Sequence, residues 1–389
     1  MIKTIRVMLI PNNKQNTKLF QFAGTARFAY NWALEEEKKN HNSGKKFLSD
    51  NELRKRFTQL KHEEKYKWLY TISNNVCKQA IKDAVEVYKK FFKNLAKFPK
   101  YKSRKRNKPS FYVDPGKIKF TATHVKLEKI AQNKKKNRQS ANWFRLAEHE
   151  RVPVGVKYFN PRVCFDGINW FLAVGVENEN EKKQPKKEGI GIDLGIKDTA
   201  ICSTGSFYKN INQTSRVRRL KRNLRRLQRK ISRKYNKNKK GESYRKTRNI
   251  IKSEKKILKL NHRLTNIRTN YIQQVTTEIV KREPSFIVME DLNVKGMMKN
   301  KHLAKSLQEQ KLYEFYRIMK YKCDWNGIKF ITADRFYASS KICSVCGHKK
   351  KNLKLSDRIY YCEICGTVMN RDFNASVNLY KYGKSIVNH

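Results

Sequence analysis

The stretch GIGIDLGIKDTAICS, residues 189–203, decides the fold of the second half of the chain. Isoleucine and leucine alternate there with glycine and one acid, Asp193, which is typical of a strand buried in a mixed sheet. Two further strand-like segments follow, SFIVME at 285–290 and IKFITAD at 328–334, with a helical segment at 303–325 between them. Strands and helices in this order predict an α/β domain.

A strongly cationic segment lies between the first two of these strands. Residues 216–268 contain 23 lysines and arginines against 2 acids, and leucine and isoleucine recur at near-heptad spacing around the turn-like NKNKKGES at 236–243. The pattern predicts two long helices in an antiparallel hairpin. Like charges four residues apart destabilise such helices unless a phosphate backbone lies alongside, so the hairpin is interpreted as a nucleic-acid contact and not merely a solvated surface. Four arginines of the hairpin are expected to contact nucleic acid: Arg218, Arg222, Arg225 and Arg229.

The whole chain, like this segment, has many more basic than acidic residues. Its 389 residues carry 89 Lys and Arg against 33 Asp and Glu, a formal charge of +56, which exceeds what solubility needs and predicts a polyanionic partner. No apolar run approaches the roughly 18 residues of a membrane span, and the opening MIKTIRVMLIP is too short for a signal peptide. We therefore expect a soluble, cytoplasmic, nucleoid-associated protein with no membrane partner, and a monomer is favoured.

The sequence of the first half of the chain predicts a helical part followed by a β-rich part. Helical periodicity runs through residues 15–97, where Phe22, Ala26, Tyr30 and Leu34 form one stripe. Short strand-like runs follow the cationic FPKYKSRKRNKPSF, and we expect them to pack with an opening strand at 2–10. These runs are 118–121, 154–159 and 170–176. The apolar-free run 177–188 then indicates a domain boundary.

Eight cysteines divide into two groups. Cys77, Cys164, Cys202 and Cys323 stand singly in apolar settings and are interpreted as buried thiols. Two CxxCG pairs lie near the C-terminus, and their spacing is typical of a structural zinc ribbon at 341–367. Its ligands are Cys343, Cys346, Cys362 and Cys365. A disulfide pair and an iron–sulfur centre are the disfavoured alternatives.

Three acids distant in sequence lie at the ends of predicted elements: Asp193 in one strand, Glu290 closing another, and Asp372 at a helix start. Carboxylates that share two Mg²⁺ ions can activate water and stabilise a leaving phosphate oxygen. Each acid could equally serve in a salt bridge or a helix cap. The spacing alone does not exclude three other acids as metal ligands, which are Asp198, Asp291 and Asp334.

Six motifs taken in order resemble the TnpB proteins of bacterial and archaeal insertion sequences, which are relatives of the type V CRISPR effector nucleases. They span nearly the whole chain and are TARFAYNWAL at 25–34, FPKYKSRKR at 98–106, GIGIDLGIKDTA at 189–200, IVMEDLNVKGM at 287–297, ADRFYASSKICSVCG at 333–347 and NRDFNASVNLY at 370–380. Ala338 and Asn370 depart from residues common in relatives, Pro and Asp.

The resemblance implies an α+β multidomain protein. Its parts are a helical recognition subdomain at 15–97, a wedge-like β-barrel built from 1–14 and 98–182, a linker at 183–188, and a RuvC-like nuclease domain of RNase H fold at 189–389 with the inserted zinc ribbon. The resemblance implies that Asp193, Glu290 and Asp372 bind the catalytic Mg²⁺, with Mn²⁺ as an alternative, and favours Glu290 over Asp291.

The resemblance also implies partners: a guide RNA from the transposon end and a double-stranded DNA target cut beside a short transposon-adjacent motif. Asn74 and Lys78 match positions where relatives read that motif, and Lys102 and Arg104 belong to the cationic FPKYKSRKR segment, so all four are expected to contact nucleic acid. Three rivals remain open: a guided repressor without cleavage, a transposase or resolvase that acts without RNA, and an inactive zinc-ribbon binding protein.

Overall fold

The computed structural model describes residues 2–130, 141–177, 188–353 and 357–387. The chain divides into two compact units, Met1–Glu179 and Asn180–His389. The linker predicted at 183–188 lies outside the described residues except for Glu188. Within the described ranges no helix is long and apolar enough to cross a membrane.

Three helices form one layer of the first unit. They are α1 (Asn13–Asn42), α2 (Asp50–Leu60) and α3 (Asn74–Phe92), with a 3₁₀ segment at Glu64–Thr71. Reciprocal side-chain caps begin the first two helices, Asn12 with Gln15 and Ser49 with Glu52, so the helix starts are fixed locally. The predicted stripe of α1 is confirmed, because all four of its residues are buried.

A seven-stranded sheet forms the other layer, with order β2-β6-β7-β1-β5-β4-β3. Its strands are β1 (Ile2–Ile10), β2 (Ser110–Tyr112), β3 (Lys119–Phe120), β4 (His124–Lys126), β5 (Trp143–Leu146), β6 (Tyr158–Phe165) and β7 (Trp170–Glu177). The opening strand pairs with β7 as predicted. Helices and sheet share a single hydrophobic core, in which the Phe22 and Phe111 rings lie 5.3 Å apart. Among the described residues no ladder joins β2 to β3, so the β-barrel stays a prediction.

The predicted strand 154–159 is wrong over its first four residues. Pairing begins only at Tyr158, because Gly155 has φ +79° and Val154 and Val156 are exposed. Alternating apolar residues suggested a strand there, but the left-handed glycine turns the chain out of the sheet.

The second unit is built on a five-stranded sheet of order β10-β9-β8-β13-β14. The strands of the unit are β8 (Ile190–Asp193), β9 (Asp198–Cys202), β10 (Phe207–Lys209), β11 (Lys239–Lys240), β12 (Ser243–Tyr244), β13 (Phe286–Glu290), β14 (Lys329–Ala333), β15 (Ile359–Tyr361) and β16 (Val368–Asn370). Strands β8, β13 and β14 are parallel to one another, whereas β9 is antiparallel to both of its neighbours, β8 and β10.

Helices cover both faces of this sheet. They are α4 (Ser215–Lys237), α5 (Arg248–Val280), α6 (Val294–Met297), α7 (Lys301–Gln310), α8 (Leu312–Asn326) and α9 (Arg371–Val387). Ile192 and Met289 pack on one face with α5 and α8, whereas Phe286 and Val288 pack on the other with α9. The predicted basic hairpin is confirmed as α4 and α5, which pack through a narrow stripe around Leu220 and Leu264.

The single helix predicted at 303–325 is wrong. Lys311 has φ +56°, which ends α7 and begins α8. Its ammonium group donates to Thr269 at 2.7 Å and also binds Glu314, so tertiary contacts hold a conformation that the local sequence does not favour.

Two glycines allow α9 to lie directly on the sheet. A Cβ at Gly191 of β8 would be 2.1 Å from the Ser376 carbonyl oxygen, and one at Gly383 of α9 would be 2.2 Å from Val288. Only glycine allows this approach, and it brings the N-terminal end of α9 to the carboxyl ends of β8 and β13.

Candidate active site and metal centre

Strand register brings two of the three predicted acids side by side. Ile192 of β8 pairs with Met289 of β13 in a parallel ladder, so the next residues, Asp193 and Glu290, end adjacent strands at the same level. Because side chains alternate along a strand, both acids point to the face that α9 covers. Neighbouring strands lie about 4.8 Å apart, which is close enough for two carboxylates to interact.

Electrostatics couple the third acid to this pair. Burial raises the pKa of Asp193 well above its ordinary value, and the charges of Glu290 and Asp372 raise it further. Burial also raises the pKa of Glu290, while a hydrogen bond from the Ser339 hydroxyl opposes that rise. Clustered carboxylates with raised pKa values are stabilised by a cation, so the donor set suits a hard divalent metal ion.

The three carboxylates do not form a closed ligand set in this structure. Within the described residues, only the four ribbon cysteines bring three or more His, Cys, Asp or Glu ligand atoms within 4.8 Å of one another. Arg371 Nε lies 3.8 Å from Asp372, and Glu290 is held by Ser339. Metal binding by these three acids stays a prediction.

The competing acids lie elsewhere. Burial and the charge of Asp198 raise the pKa of Tyr271 in α5, so Asp198 lies on the side of the sheet that α5 covers, opposite α9. Asp291 pairs with Arg335, and Asp334 accepts a hydrogen bond from the Phe336 amide at 2.7 Å. The face that carries Asp193 therefore lacks Asp198, while the other two acids already serve local contacts.

Sequence reasoning missed the residues that brace this site. Asn370 accepts hydrogen bonds from the Asp372 and Phe373 amides, both at 3.0 Å, and so fixes the start of α9. Asn374 binds the Ser344 amide at 2.9 Å and the Ile342 carbonyl at 2.7 Å. Asn378 donates to the Ser339 carbonyl at 2.7 Å. The i, i+4 spacing of these three asparagines in NRDFNASVNLY was the available signal.

The four predicted zinc ligands lie together. Cys343 and Cys365 sulfurs are 3.6 Å apart, as are those of Cys346 and Cys362. A tetrahedral zinc site with bonds of about 2.3 Å has sulfur–sulfur edges of about 3.8 Å, so the four thiols fit zinc. His348 is exposed and is not part of the cluster.

Both CxxCG segments adopt the same turn. Gly347 and Gly366 have φ +79° and +68°, and their amides donate to the Cys343 and Cys362 carbonyls at 2.9 and 3.0 Å. A hydrogen bond from Thr367 lowers the pKa of Cys365, which favours the thiolate that binds metal.

The predicted nucleic-acid contacts fall into two settings. Arg218, Arg222, Arg225 and Arg229 are all exposed, and their 4-3-4 spacing puts them on one stripe of α4 opposite its buried leucines. Asn74, Lys78 and Arg104 are exposed in the first unit.

Lys102 is the exception among these residues. It is half-buried, with its ammonium 3.6 Å from the centre of the Tyr30 ring and its backbone bound to Asn31. Burial lowers its pKa, so it fits a structural contact better than a free phosphate contact.

Comparisons with known proteins cover most of the chain. Family models match at residues 172–301 ("Probable transposase"), 313–379 ("Cas12f1-like, TNB domain") and 1–46 ("Helix-turn-helix domain"). The last span holds β1 and α1 alone among its described residues.

Two curated relatives align over nearly the full length. "Putative RNA-guided DNA endonuclease InsQ" of Escherichia coli is 27% identical over 406 residues, covering 99% of this chain and 93% of that protein. A "Putative RNA-guided DNA endonuclease" of Streptomyces pristinaespiralis is 28% identical, covering 98% and 89%. The chain is similar to both proteins over nearly its whole length.

A solved structure also aligns with nearly the whole chain. "Structure of the mini-RNA-guided endonuclease CRISPR-Cas_phi3" covers 98% of this chain and 92% of that chain, with TM-score 0.48 and 10% identity.

Proposed function

We propose that the protein is an RNA-guided DNA endonuclease encoded by an insertion sequence. The observation that carries the proposal is the register of β8 and β13, which aligns Asp193 with Glu290 beside the Asp372 helix. The full-length relatives named as RNA-guided DNA endonucleases support the same activity.

The second unit is then a RuvC-like domain of RNase H fold. In chain order its strands run 3-2-1-4-5 across the sheet, with the first, fourth and fifth parallel, and this arrangement supports that assignment. The cysteine cluster is its zinc ribbon, inserted between β14 and α9. The helical recognition and wedge subdomains are proposed within residues 1–182.

The site supplies the chemistry of phosphodiester hydrolysis. Divalent cations bound at this carboxylate cluster would supply activation of water and stabilisation of the leaving oxygen. Asp193, Glu290 and Asp372 would hold the ions, and Ser339 fixes the direction of Glu290. The scissile phosphate is positioned at the carboxyl ends of β8 and β13.

Guidance by RNA explains the charge distribution. Base pairing with the guide reads the target sequence, so the protein needs shape and phosphate contacts, which the exposed α4 stripe supplies. Asn74 and Lys78 are one helical turn apart at the start of α3, and we propose that they read the short flanking motif.

The test begins with the RNA that co-purifies with the full-length protein. The complex is incubated with Mg²⁺ and a plasmid that matches the 3′ segment of this RNA beside randomised flanks. We expect linear plasmid only when the match is present, and the flanks of cut molecules identify the motif. Specific RNA with binding but no cutting would favour a repressor, and cutting without RNA would favour the guide-free enzyme.

Substitutions assign the acids. Asp193→Asn, Glu290→Gln and Asp372→Asn should each abolish cutting and keep guided DNA binding. Asp291→Asn and Asp334→Asn, directly after β13 and β14, are matched controls and should keep cutting. Full cutting by any of the first three variants removes that residue from the ligand set.

A further inference from the structure

A row of paired residues crosses the sheet of the second unit. Phe207 pairs with Ile201, Ile201 pairs with Asp193, and Glu290 pairs with Ala333. Paired residues on neighbouring strands point to the same face, so Phe207 lies on the face that carries Asp193. Two strand spacings of about 4.8 Å put its backbone roughly 10 Å from that of Asp193.

Phe207 presents an aromatic surface on the β10 side of the acids. It is 47% exposed, and its ring stacks on Phe373 at 6.1 Å with an interplanar angle of 29°. Phe373 directly follows Asp372 in α9. The α9 contact therefore holds the Phe207 ring in place while one part of it stays open to solvent.

Phe336 presents a second aromatic surface on the β14 side. It is 90% exposed, although its backbone is held in an ordered turn. Its amide donates to Asp334 at 2.7 Å, the Ser339 amide donates to the Tyr337 carbonyl at 2.9 Å, and Ser339 binds Glu290. Phe336 is therefore an exposed aromatic side chain on an ordered turn that also carries Ser339, the partner of Glu290.

Cations lie beside the same acids. Arg358 and Arg371 approach Asp372 at 3.9 and 3.8 Å, and Arg335 pairs with Asp291. The side chains of Arg335 and Arg358 are half-exposed. Aromatic faces next to exposed cations are the features with which proteins hold unpaired nucleic-acid strands, by base stacking and phosphate contacts.

We propose that Phe207 and Phe336 are positioning residues that stack on unpaired bases of one DNA strand on either side of the carboxylates. This inference rests on the proposed function and adds which residues would hold the unpaired strand beside the acids. A duplex hides its base faces within the stack, so these rings favour an unpaired strand.

The test uses single-stranded oligonucleotides that carry 2-aminopurine, whose fluorescence falls when the base stacks. The full-length protein with its co-purified RNA carries Asp193→Asn to prevent cutting. We expect Phe336→Ala and Phe207→Ala to relieve the quenching and to weaken binding by roughly 5- to 150-fold each, the range for loss of one base–aromatic stack. Phe336→Trp should restore both. Tyr313→Ala is the matched control, since Tyr313 is 65% exposed on α8, which covers the opposite face.

A second readout uses cutting by the protein with Asp193 intact. Phe336→Ala should raise KM for the matched plasmid more than it lowers kcat, because the ring binds substrate without touching the reacting atoms. Phe207→Leu keeps a side chain against Phe373 and should behave like Phe207→Ala, which separates lost stacking from misfolding.

Either result is informative. Unchanged quenching and affinity in both alanine variants would overturn the inference even if the wild-type protein cuts DNA. Relieved quenching in a protein that never cuts would keep base stacking on the two rings and remove the proposed function.

Discussion

At the scale of single residues, one hydroxyl decides where Glu290 points. Ser339 is buried at 3% exposure, and it donates to Glu290 Oε1 while Asn378 holds its carbonyl. A metal-binding carboxylate loses affinity when such a supporting partner is removed, typically by 10- to 100-fold.

We therefore predict that Ser339→Ala raises the Mg²⁺ concentration for half-maximal cutting by roughly 10- to 100-fold. Ser339→Thr keeps the hydroxyl and should behave close to wild type. Titration of plasmid cutting against Mg²⁺ measures the effect, and an unchanged midpoint for Ser339→Ala would count against the role of Ser339.

Lys322 is a second buried residue with a measurable consequence. Its ammonium is buried between α8 and α5 and donates to Gln273, Thr276 and Thr277, all neutral acceptors, at 2.8, 2.8 and 2.6 Å. Burial lowers its pKa from 10.5 to about 8. Below pH 8 the lysine is charged in both the folded and unfolded states, so the folded state bears the full cost of burying the charge.

Between about pH 8 and pH 10.5 the unfolded state binds more protons, so this group makes stability rise with pH. We predict that Lys322→Met removes this rise, while Lys320→Met, an exposed change on the same helix, keeps it. Denaturant unfolding followed by ¹⁹F NMR of fluorotryptophan at Trp325 measures the second unit alone. Equal pH dependence in both variants would contradict the prediction.

At the scale of elements, α9 joins the acids to the cysteine cluster. Asp372 lies in its first turn, Asn374 binds the first cysteine turn at Ser344, and Gly383 packs against β13. The conformation of the cysteine turns therefore affects the position of a proposed catalytic acid.

We predict that Cys343→Ser loses bound zinc and loses cutting, although no catalytic acid is changed. Zinc binding supplies folding free energy to such small turns, and without it the contacts to Asn374 have no fixed partner. Cys164→Ser, in the first unit, is the control and should keep both. Elemental analysis and plasmid cutting measure the outcome, and a zinc-free Cys343→Ser protein that cuts normally would refute the link.

The elements and the cysteine cluster were largely predictable, whereas the arrangement of the site was not. Alternation in SFIVME and the CxxCG spacing are local signals that neighbouring residues fix. The break at Lys311 depends on contacts with Thr269, and the roles of Ser339 and Asn374 depend on the fold of distant segments. Local periodicity carries no information about such partners, and it left Asp198 and Asp193 equivalent, although the fold puts Asp198 near Tyr271 of α5.

At the scale of the whole molecule, the charge of +56 sets how the protein binds polyanions. Each phosphate contact releases counterions, so binding weakens steeply with salt. The exposed arginine stripe of α4 lacks a matching acidic stripe in the sequence 216–268, which keeps these charges available to a ligand.

We predict that changing Arg218, Arg222, Arg225 and Arg229 together to Gln weakens RNA binding and lowers the slope of log affinity against log salt by about 3 to 4. The control changes four other exposed cations of α4, which lie about 100° around the helix from the first stripe. It removes the same charge and should lower the slope less. These controls are Arg216, Arg219, Arg226 and Lys230. Fluorescence anisotropy across salt concentrations measures both, and equal slopes would indicate a general field instead of a defined contact.

The strand register described for β8 and β13 also limits how the gene can diverge. A residue gained or lost inside β8 would turn Asp193 to the face that α5 and α8 cover, because side chains alternate. The hairpin tip at 239–244 lies between the same two acids in sequence, and length changes there leave the ladder untouched. We expect diverged copies to differ in length at the tip and to differ in β8 by substitution alone.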